Sequence, residues 1–304
     1  MMYFCNIITS SRLYQFIALY HSIRKNNSDF YIFVLCMDDV VYRILKKASL
    51  ERVSLINVSD IEGRDLKHIK KTRRIEEYCW TLKPIFIKYV LKKNKEIERL
   101  TYLDSDMFFY DDPKKILEGT KDSAVLLSEH DCSHDIKYVE DSVGRFNSGI
   151  ISFKNTSEGL ICLKWWKKKC MGWCFNTTAT GQFGDQKYLE NMYRKFHDVK
   201  IISTHGVNIA PWNDGQYKFT MKKGKLYIDE KPLILYHYSG FRICDKYTCI
   251  FMFGDRYQPL LHNIYIEAVR EAIEFVDRLE EHFDGSFLEE QHKDRFKTFS
   301  MIIR

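Results

Sequence analysis

Short apolar runs alternate with stretches of helical spacing from the start of the chain. Tyr3–Ile8 is apolar and ends at Thr9-Ser10-Ser11, and apolar positions then recur at helical spacing from Leu13 to Ile23. Phe30–Met37 ends at Asp38-Asp39, and Val53–Val58 ends at Ser59-Asp60. Strands that close on small or acidic residues, each followed by a helix, predict a doubly wound α/β sheet with its ligand at the carboxyl ends of the strands. Further on, Arg99–Phe109 leans to β structure, with a fourth strand ending at Asp104, and Asp111-Asp112-Pro113 stops the run. Ala124–Leu127 and Arg145–Phe153 predict two more strands, and Phe183–Leu189 predicts a helix start with Asp185 placed to cap it or to meet a ligand hydroxyl. Leu233–Arg242 reads as a strand that delivers His237 into a glycine turn, and Tyr257–Arg304 has helical periodicity at Ile264, Val269, Ile273, Val276 and Leu279.

Composition narrows the class. A chain of 304 residues with 45% hydrophobic positions is globular and builds one large α/β domain or two small ones. Aromatic residues make up 15%, a surplus that lines cores and cleft walls. The net charge of +6 suits a phosphate-bearing ligand or an acidic membrane surface and is too small to argue for nucleic acid. Nine scattered cysteines without a paired C-x-x-C grid point to free thiols in a reducing compartment, and Cys170 with Cys174 has no second ligand pair for zinc. No apolar run reaches the ~18–20 residues that span a bilayer. The start of the chain shows no signal peptide, so a cytoplasmic protein is expected.

The chemistry concentrates in the run Leu103-Asp104-Ser105-Asp106. On a strand, positions i and i+2 share a face, so Asp104 and Asp106 would present both carboxylates to one side. Two such charges on a mostly buried strand need a cation, and Mg²⁺ or Mn²⁺ is the usual one. The plainer alternative is a solvated turn beginning at Asp104. Likewise Asn147-Ser148-Gly149 reads as a turn with a positive-φ glycine, and a lone histidine after a strand is commonly structural. There is no G-x-G-x-x-G loop, so a dinucleotide enzyme is disfavoured, and a metal with cationic side chains must hold any diphosphate. Lys67, Lys70, Lys71, Arg73 and Arg74 read as a solvated helix face, with a lid touching a diphosphate as the alternative, and Trp165, Trp166 and Trp173 read as packing, with one of them stacking on an acceptor ring as the alternative.

In their order along the chain, Leu103-Asp104-Ser105-Asp106, Phe146-Asn147-Ser148-Gly149, Asp185-Gln186 and His237-Tyr238-Ser239-Gly240 resemble the metal-dependent GT-A glycosyltransferases. The resemblance is strongest to the family 8 type, which includes glycogenin and bacterial galactosyl- and glucosyltransferases, and runs from Tyr3 to Arg242. It implies a Rossmann-like, mainly parallel sheet flanked by helices. A catalytic domain would cover 1–255, with a nucleotide-sugar half at 1–110 and an acceptor half at 111–255, followed by a helical extension at 256–304. By the same resemblance Asp104, Asp106 and His237 would ligate Mn²⁺ or Mg²⁺. Thr9 and Asp38 would meet the base and ribose, with Lys83 and Ser105 also on the donor. Asp185 and Gln186 would hold the donor sugar near its anomeric carbon, and Asn147 would bond a sugar hydroxyl or the acceptor. Asn208, Pro211, Trp212 and Asn213 would form a loop on the acceptor side. The family's Lys-Pro-Trp after His-x-x-Gly is replaced by Phe241-Arg242, so Arg242 or Lys246 would supply the diphosphate cation.

The implied activity is transfer of a hexose or N-acetylhexosamine from a UDP-sugar, with retention, to a glycan or lipid-linked acceptor in polysaccharide biosynthesis. Peripheral attachment to a membrane would accompany a lipid-linked acceptor. If the enzyme inverted instead, Asp131, Asp135 or Asp214 would be the general base. The alternatives are a sugar-1-phosphate nucleotidylyltransferase, for which Thr9-Ser10-Ser11-Arg12 is a poor activation loop, and an inactive sugar-nucleotide scaffold.

Overall fold

The computed structural model describes residues 1–178, 181–251, 257–288 and the backbone of the strand Ser300–Ile302. Its strands are β1 (Met2–Ile8), β2 (Phe30–Cys36), β3 (Val53–Asn57), β4 (Arg99–Leu103), β5 (Met107–Phe109), β6 (Val125–Glu129), β7 (Phe146–Lys154), β8 (Val199–Ile201), β9 (Phe219–Lys222), β10 (Lys225–Ile228), β11 (Lys231–Pro232), β12 (Leu235–His237), β13 (Phe241–Ile243), β14 (Thr248–Phe251) and β15 (Ser300–Ile302). The helices are α1 (Leu13–Asn26), α2 (Asp39–Ala48), α3 (Arg64–Lys70), α4 (Ile75–Lys93), α5 (Val139–Val143), α6 (Ser157–Gly172), α7 (Tyr188–Lys195) and α8 (Pro259–Asp277). Seven strands form the central sheet in the order β3-β2-β1-β4-β7-β6-β8. Six run parallel, and β7 is antiparallel to both of its neighbours.

Both faces of this sheet are buried, which is why its strands read as continuous apolar runs. Along β1, Phe4 and Ile8 enter a core shared with α1, α2 and α8, whereas Cys5 and Ile7 enter a core shared with α4, α6 and α7. The expected doubly wound architecture is therefore present, with its helices on both sides.

The run Arg99–Phe109 is not one strand. β4 ends at Leu103, the chain turns at 104–106, and β5 leaves the main sheet to pair antiparallel with β12, His237 lying opposite Met107. The two aspartates owe their proximity to this turn and not to strand alternation. Asn147-Ser148-Gly149 also departs from the expected turn, because all three belong to β7, where its pairing with β6 shifts register after Leu127. Gly149 is absent from the positive-φ glycines.

The C-terminal segment is part of the first core and is not helical throughout. Leu261, Tyr265, Val269, Ile273 and Val276 of α8 bury against it, the Tyr14 hydroxyl donates to the Phe283 carbonyl, and Ser286 Oγ donates to the Ser10 carbonyl. β15 adds a strand to β14. No helix among the described residues is long and apolar enough to cross a membrane, and all nine cysteines carry free thiols.

Candidate active site

At the carboxyl ends of β1 and β4 the chain encloses a cavity of about 530 Å³. The loop after β1 supplies Thr9, Ser11 and Arg12; the turn after β4 supplies Asp104, Ser105 and Asp106; the start of β7 supplies Asn147 and Ser148. The turn before α7 adds Gly184, Asp185 and Gln186, the first half of α4 adds Trp80 and Lys83, β12 with the turn behind it adds His237, Ser239 and Gly240, and β13 adds Arg242.

Asp104, Asp106 and His237 each offer a ligand atom, and these atoms lie within 4.8 Å of one another. Three such atoms this close together are near enough to converge on one divalent ion, whose oxygen ligands sit ~2.0–2.1 Å away for Mg²⁺. Two carboxylates and an imidazole also match the ligand preferences of Mn²⁺. His237 Nε2 is 3.1 Å from Asp106 Oδ1, and its buried Nδ1 has no hydrogen-bond partner. Burial alone would raise the Asp106 pKa, but His237, Arg12 and Arg242 outweigh it and hold the carboxyl well below the usual range. Gly149 makes room for this cluster. A Cβ there would lie 2.7 Å from His237 Cε1 and 2.7 Å from Asn147 Oδ1, so only glycine fits without displacing the imidazole.

Lys83 is almost fully buried on α4, with its Nζ 3.1 Å from Asp104 Oδ1 and 3.6 Å from Asp185 Oδ2. It also donates to the carbonyl and the hydroxyl of Ser148, each at 3.1 Å. Burial opposes its charge, yet Asp104 and Asp185 prevail and keep its pKa raised. The Tyr102 hydroxyl donates to Asp104 Oδ1 at 2.9 Å. For Asp185, burial outweighs the nearby lysine and raises the pKa. Ser148 Oγ donates to its Oδ1 at 3.0 Å, while Oδ2 accepts no hydrogen bond. Asp185 is therefore not a helix cap; α7 begins only at Tyr188. Gln186 Nε2 donates to the Val143 carbonyl at 2.9 Å.

Arg242 lines the cavity, and its pKa is pushed down to about 9 by the Arg12 guanidinium beside it and by burial. Both guanidinium groups act on the Asp106 carboxylate, and two cations lining one cavity suit an anionic ligand beside it. Arg12 was not among the expected residues, since a single arginine in a polar loop carries no signal of its own. Lys246 lies elsewhere: its Nζ is 2.5 Å from Asp277 Oδ2 and it does not line the cavity. Asp38 is also outside the lining. It accepts from Ser10 N at 2.8 Å and Ser10 Oγ at 2.7 Å and caps α2 through Val41 N, so it fixes the loop that carries Arg12. Thr9 lines the cavity with its hydroxyl 2.8 Å from that of Ser11. Ser105 donates to Asn6 Oδ1 at 3.0 Å, and Asn6 Nδ2 donates to the Leu103 carbonyl, so this serine anchors the turn to β1.

Asn147 is fixed at both ends of its amide. Oδ1 accepts from Gly149 N at 2.9 Å, and Nδ2 stands 3.4 Å from His130 Nε2. His130 bonds the Gly144 carbonyl through Nδ1, and burial lowers its pKa to about 4, leaving it neutral. Trp212 places its indole edge-on between the rings of His130 and His237, with centroids 5.1 and 5.2 Å away. Neither His130 nor this use of Trp212 was legible beforehand. Asn208 and Asn213 turn inward to bond the carbonyls of Glu129 and His130, and neither lines the cavity. Asp131, Asp135 and Asp214 do not line it either.

The fold and this acidic centre define a nucleotide-sugar glycosyltransferase of the GT-A class. Residues 30–210 match the nucleotide-diphospho-sugar transferase family, and the chain belongs to that family. It is 40% identical over 299 residues to the uncharacterized protein YfnF of Bacillus subtilis (strain 168), covering 95% of this chain and 99% of YfnF. It is 30% identical to the uncharacterized protein YfnD of the same strain, covering 92% of each. Among solved structures it resembles the galactosyltransferase LgtC, with a TM-score of 0.52 at 12% identity over 97% of this chain and 100% of LgtC. It also resembles the glycosyltransferase GlyE of Streptococcus pneumoniae TIGR4, with a TM-score of 0.53 at 15% identity over 91% of this chain and 62% of GlyE.

Proposed function

We propose that the protein transfers a hexose or N-acetylhexosamine from a nucleoside diphosphate sugar, UDP-linked, to a hydroxyl of a glycan or lipid-linked acceptor. The observation that carries this reading is the acidic cluster Asp104, Asp106 and His237 within electrostatic reach of the arginine pair Arg12 and Arg242 in one cavity. Asp104, Asp106 and His237 would hold Mn²⁺ or Mg²⁺, which supplies a Lewis acid for the departing diphosphate. Arg12 and Arg242 bind phosphate oxygens and stabilise the charge that develops as the bond to the anomeric carbon breaks. Arg242 thereby takes the part of the lysine in the family's Lys-Pro-Trp, and Lys246 is left with Asp277.

Lys83, 3.1 Å from Asp104 Oδ1 and 3.6 Å from Asp185 Oδ2, fixes both carboxylates at the floor of the cavity. Asp185 Oδ2, free of hydrogen bonds, accepts from a donor-sugar hydroxyl. With Gln186 Nε2 engaged by Val143, its amide oxygen is left for the electron-poor anomeric centre. Asn147, held by Gly149 and His130, donates its remaining N–H to a sugar or acceptor hydroxyl. Retention follows from the family resemblance.

A panel of nucleotide sugars, assayed for turnover with Mn²⁺, with Mg²⁺ and with chelator, tests this reading. Metal-dependent release of a nucleoside diphosphate is expected from one donor, with the product keeping the donor's anomeric configuration by NMR. Turnover only of a nucleoside triphosphate with a sugar 1-phosphate would replace the transferase by a nucleotidylyltransferase.

A further inference from the structure

Beside the donor cavity lies a second one of about 410 Å³, within the range of small-ligand sites, ~300–1,000 Å³. It is a groove between two helices, and the spacing of its polar residues explains its charge. Trp165 and Lys169 stand one turn apart on α6, while Lys187, Asn191 and Lys195 follow at intervals of one turn along α7 and its N-cap. Each helix therefore turns a cationic edge to the same groove, and no acidic side chain lines it among the described residues.

These lysines are not spent on ion pairs. Among the described residues no carboxylate lies within 4.0 Å of Lys169, Lys187 or Lys195. Lys187 donates to the backbone carbonyls of Asp141 and Ser142. Lys169 and Lys195 are exposed and make only ring contacts, to Trp165 and Phe196, each at 5.8 Å. The groove is continuous in lining with the donor cavity, because Phe183 borders both and begins the turn that carries Asp185 and Gln186.

We propose that this groove binds an anionic oligosaccharide stretch of the acceptor, with carboxylates or phosphates on Lys169 and Lys195 and a sugar face on Trp165. The chain of the acceptor then passes Phe183 to present its hydroxyl at the donor cavity. An aromatic ring flanked by unpaired cations and an amide suits a charged sugar, whereas a neutral glycan would leave the lysines unused. The assignment rests on the transferase reading for the word acceptor, and its test is a binding measurement that needs no turnover.

Isothermal titration of the full chain with a galacturonate hexamer, a phosphodiester-linked glycerol hexamer and maltohexaose separates the cases. At least one anionic hexamer binds, more weakly as salt rises, and the double variant Lys169→Gln/Lys195→Gln loses about tenfold in affinity for it. Which of the two anionic hexamers binds tells carboxylate from phosphate. Maltohexaose binding as tightly, unchanged affinity in the double variant, or no binding of any hexamer overturns the proposal. Nucleoside diphosphate binding with Mn²⁺ is measured on the same two proteins and stays equal between them. Its absence from both would count against the transferase reading and leave the groove result standing.

Discussion

Lys83 decides how the acidic floor of the cavity is held. Nearly inaccessible to solvent, it stands between Asp104 and Asp185, so removing its charge leaves two carboxylates without their compensating cation. Lys83→Met is expected to cost about 3 kcal/mol, read as a fall in urea midpoint at unchanged slope. A variant as stable as the parent would show that the lysine is dispensable to the floor. Gly149→Ala probes a different property, because its methyl group meets the His237 ring, the Asn147 amide and the Met107 methyl. It should weaken Mn²⁺-dependent nucleotide binding at least tenfold while the protein stays folded; unaltered binding would mean that the imidazole need not sit where it does. Asp104 and Asp106 stand out in the sequence as a close acidic pair at the end of an apolar run, whereas His237, Asp185 and Arg242 enter only through the resemblance of ordered motifs; all five line one cavity. Arg12 and His130 were not legible, since each acquires its surroundings only when loops distant in sequence meet.

At the scale of elements, the short pair β5 and β12 matters more than its length suggests. It brings His237 opposite Met107, one residue beyond Asp106, and so assembles the acidic cluster from segments more than a hundred residues apart. Alternation and apolar runs located β1, β2, β3, β6 and β7 to within a residue or two. They did not reveal that the run at 99–109 breaks into two sheets, because both halves lean to β structure and bury most of their residues. The helix α8 offers a pH test away from the site. Its His262 is buried among aromatic rings, and burial lowers its pKa to about 4, against about 6.5 in an unfolded chain. Between those values the unfolded chain binds a proton that the fold does not, so stability falls as pH drops from about 6.5 toward about 4. By pH 4 this group accounts for about 3 kcal/mol of the loss. His262→Phe should flatten that part of the stability profile relative to the parent, whatever it does to stability at pH 8; parallel profiles would refute the assignment.

The whole molecule places one polar cavity at the carboxyl ends of strands whose two faces feed two separate apolar cores. Rigid packing on both sides lets turns after β1, β4 and β12 hold charged groups in the open rim without collapsing. The doubly wound architecture was readable from the alternation of runs. A helix at the end of a chain shows its apolar face but not which core it meets, and α8 meets the first. The central claim is that Asp104, Asp106 and His237 join a divalent ion to a nucleoside diphosphate. Titration of UDP into the protein with Mn²⁺, with chelator, and into Asp106→Ala with Mn²⁺ tests it most directly. Binding in the first case and a loss of at least a hundredfold in the other two is the predicted result, and equal affinity in all three would contradict it.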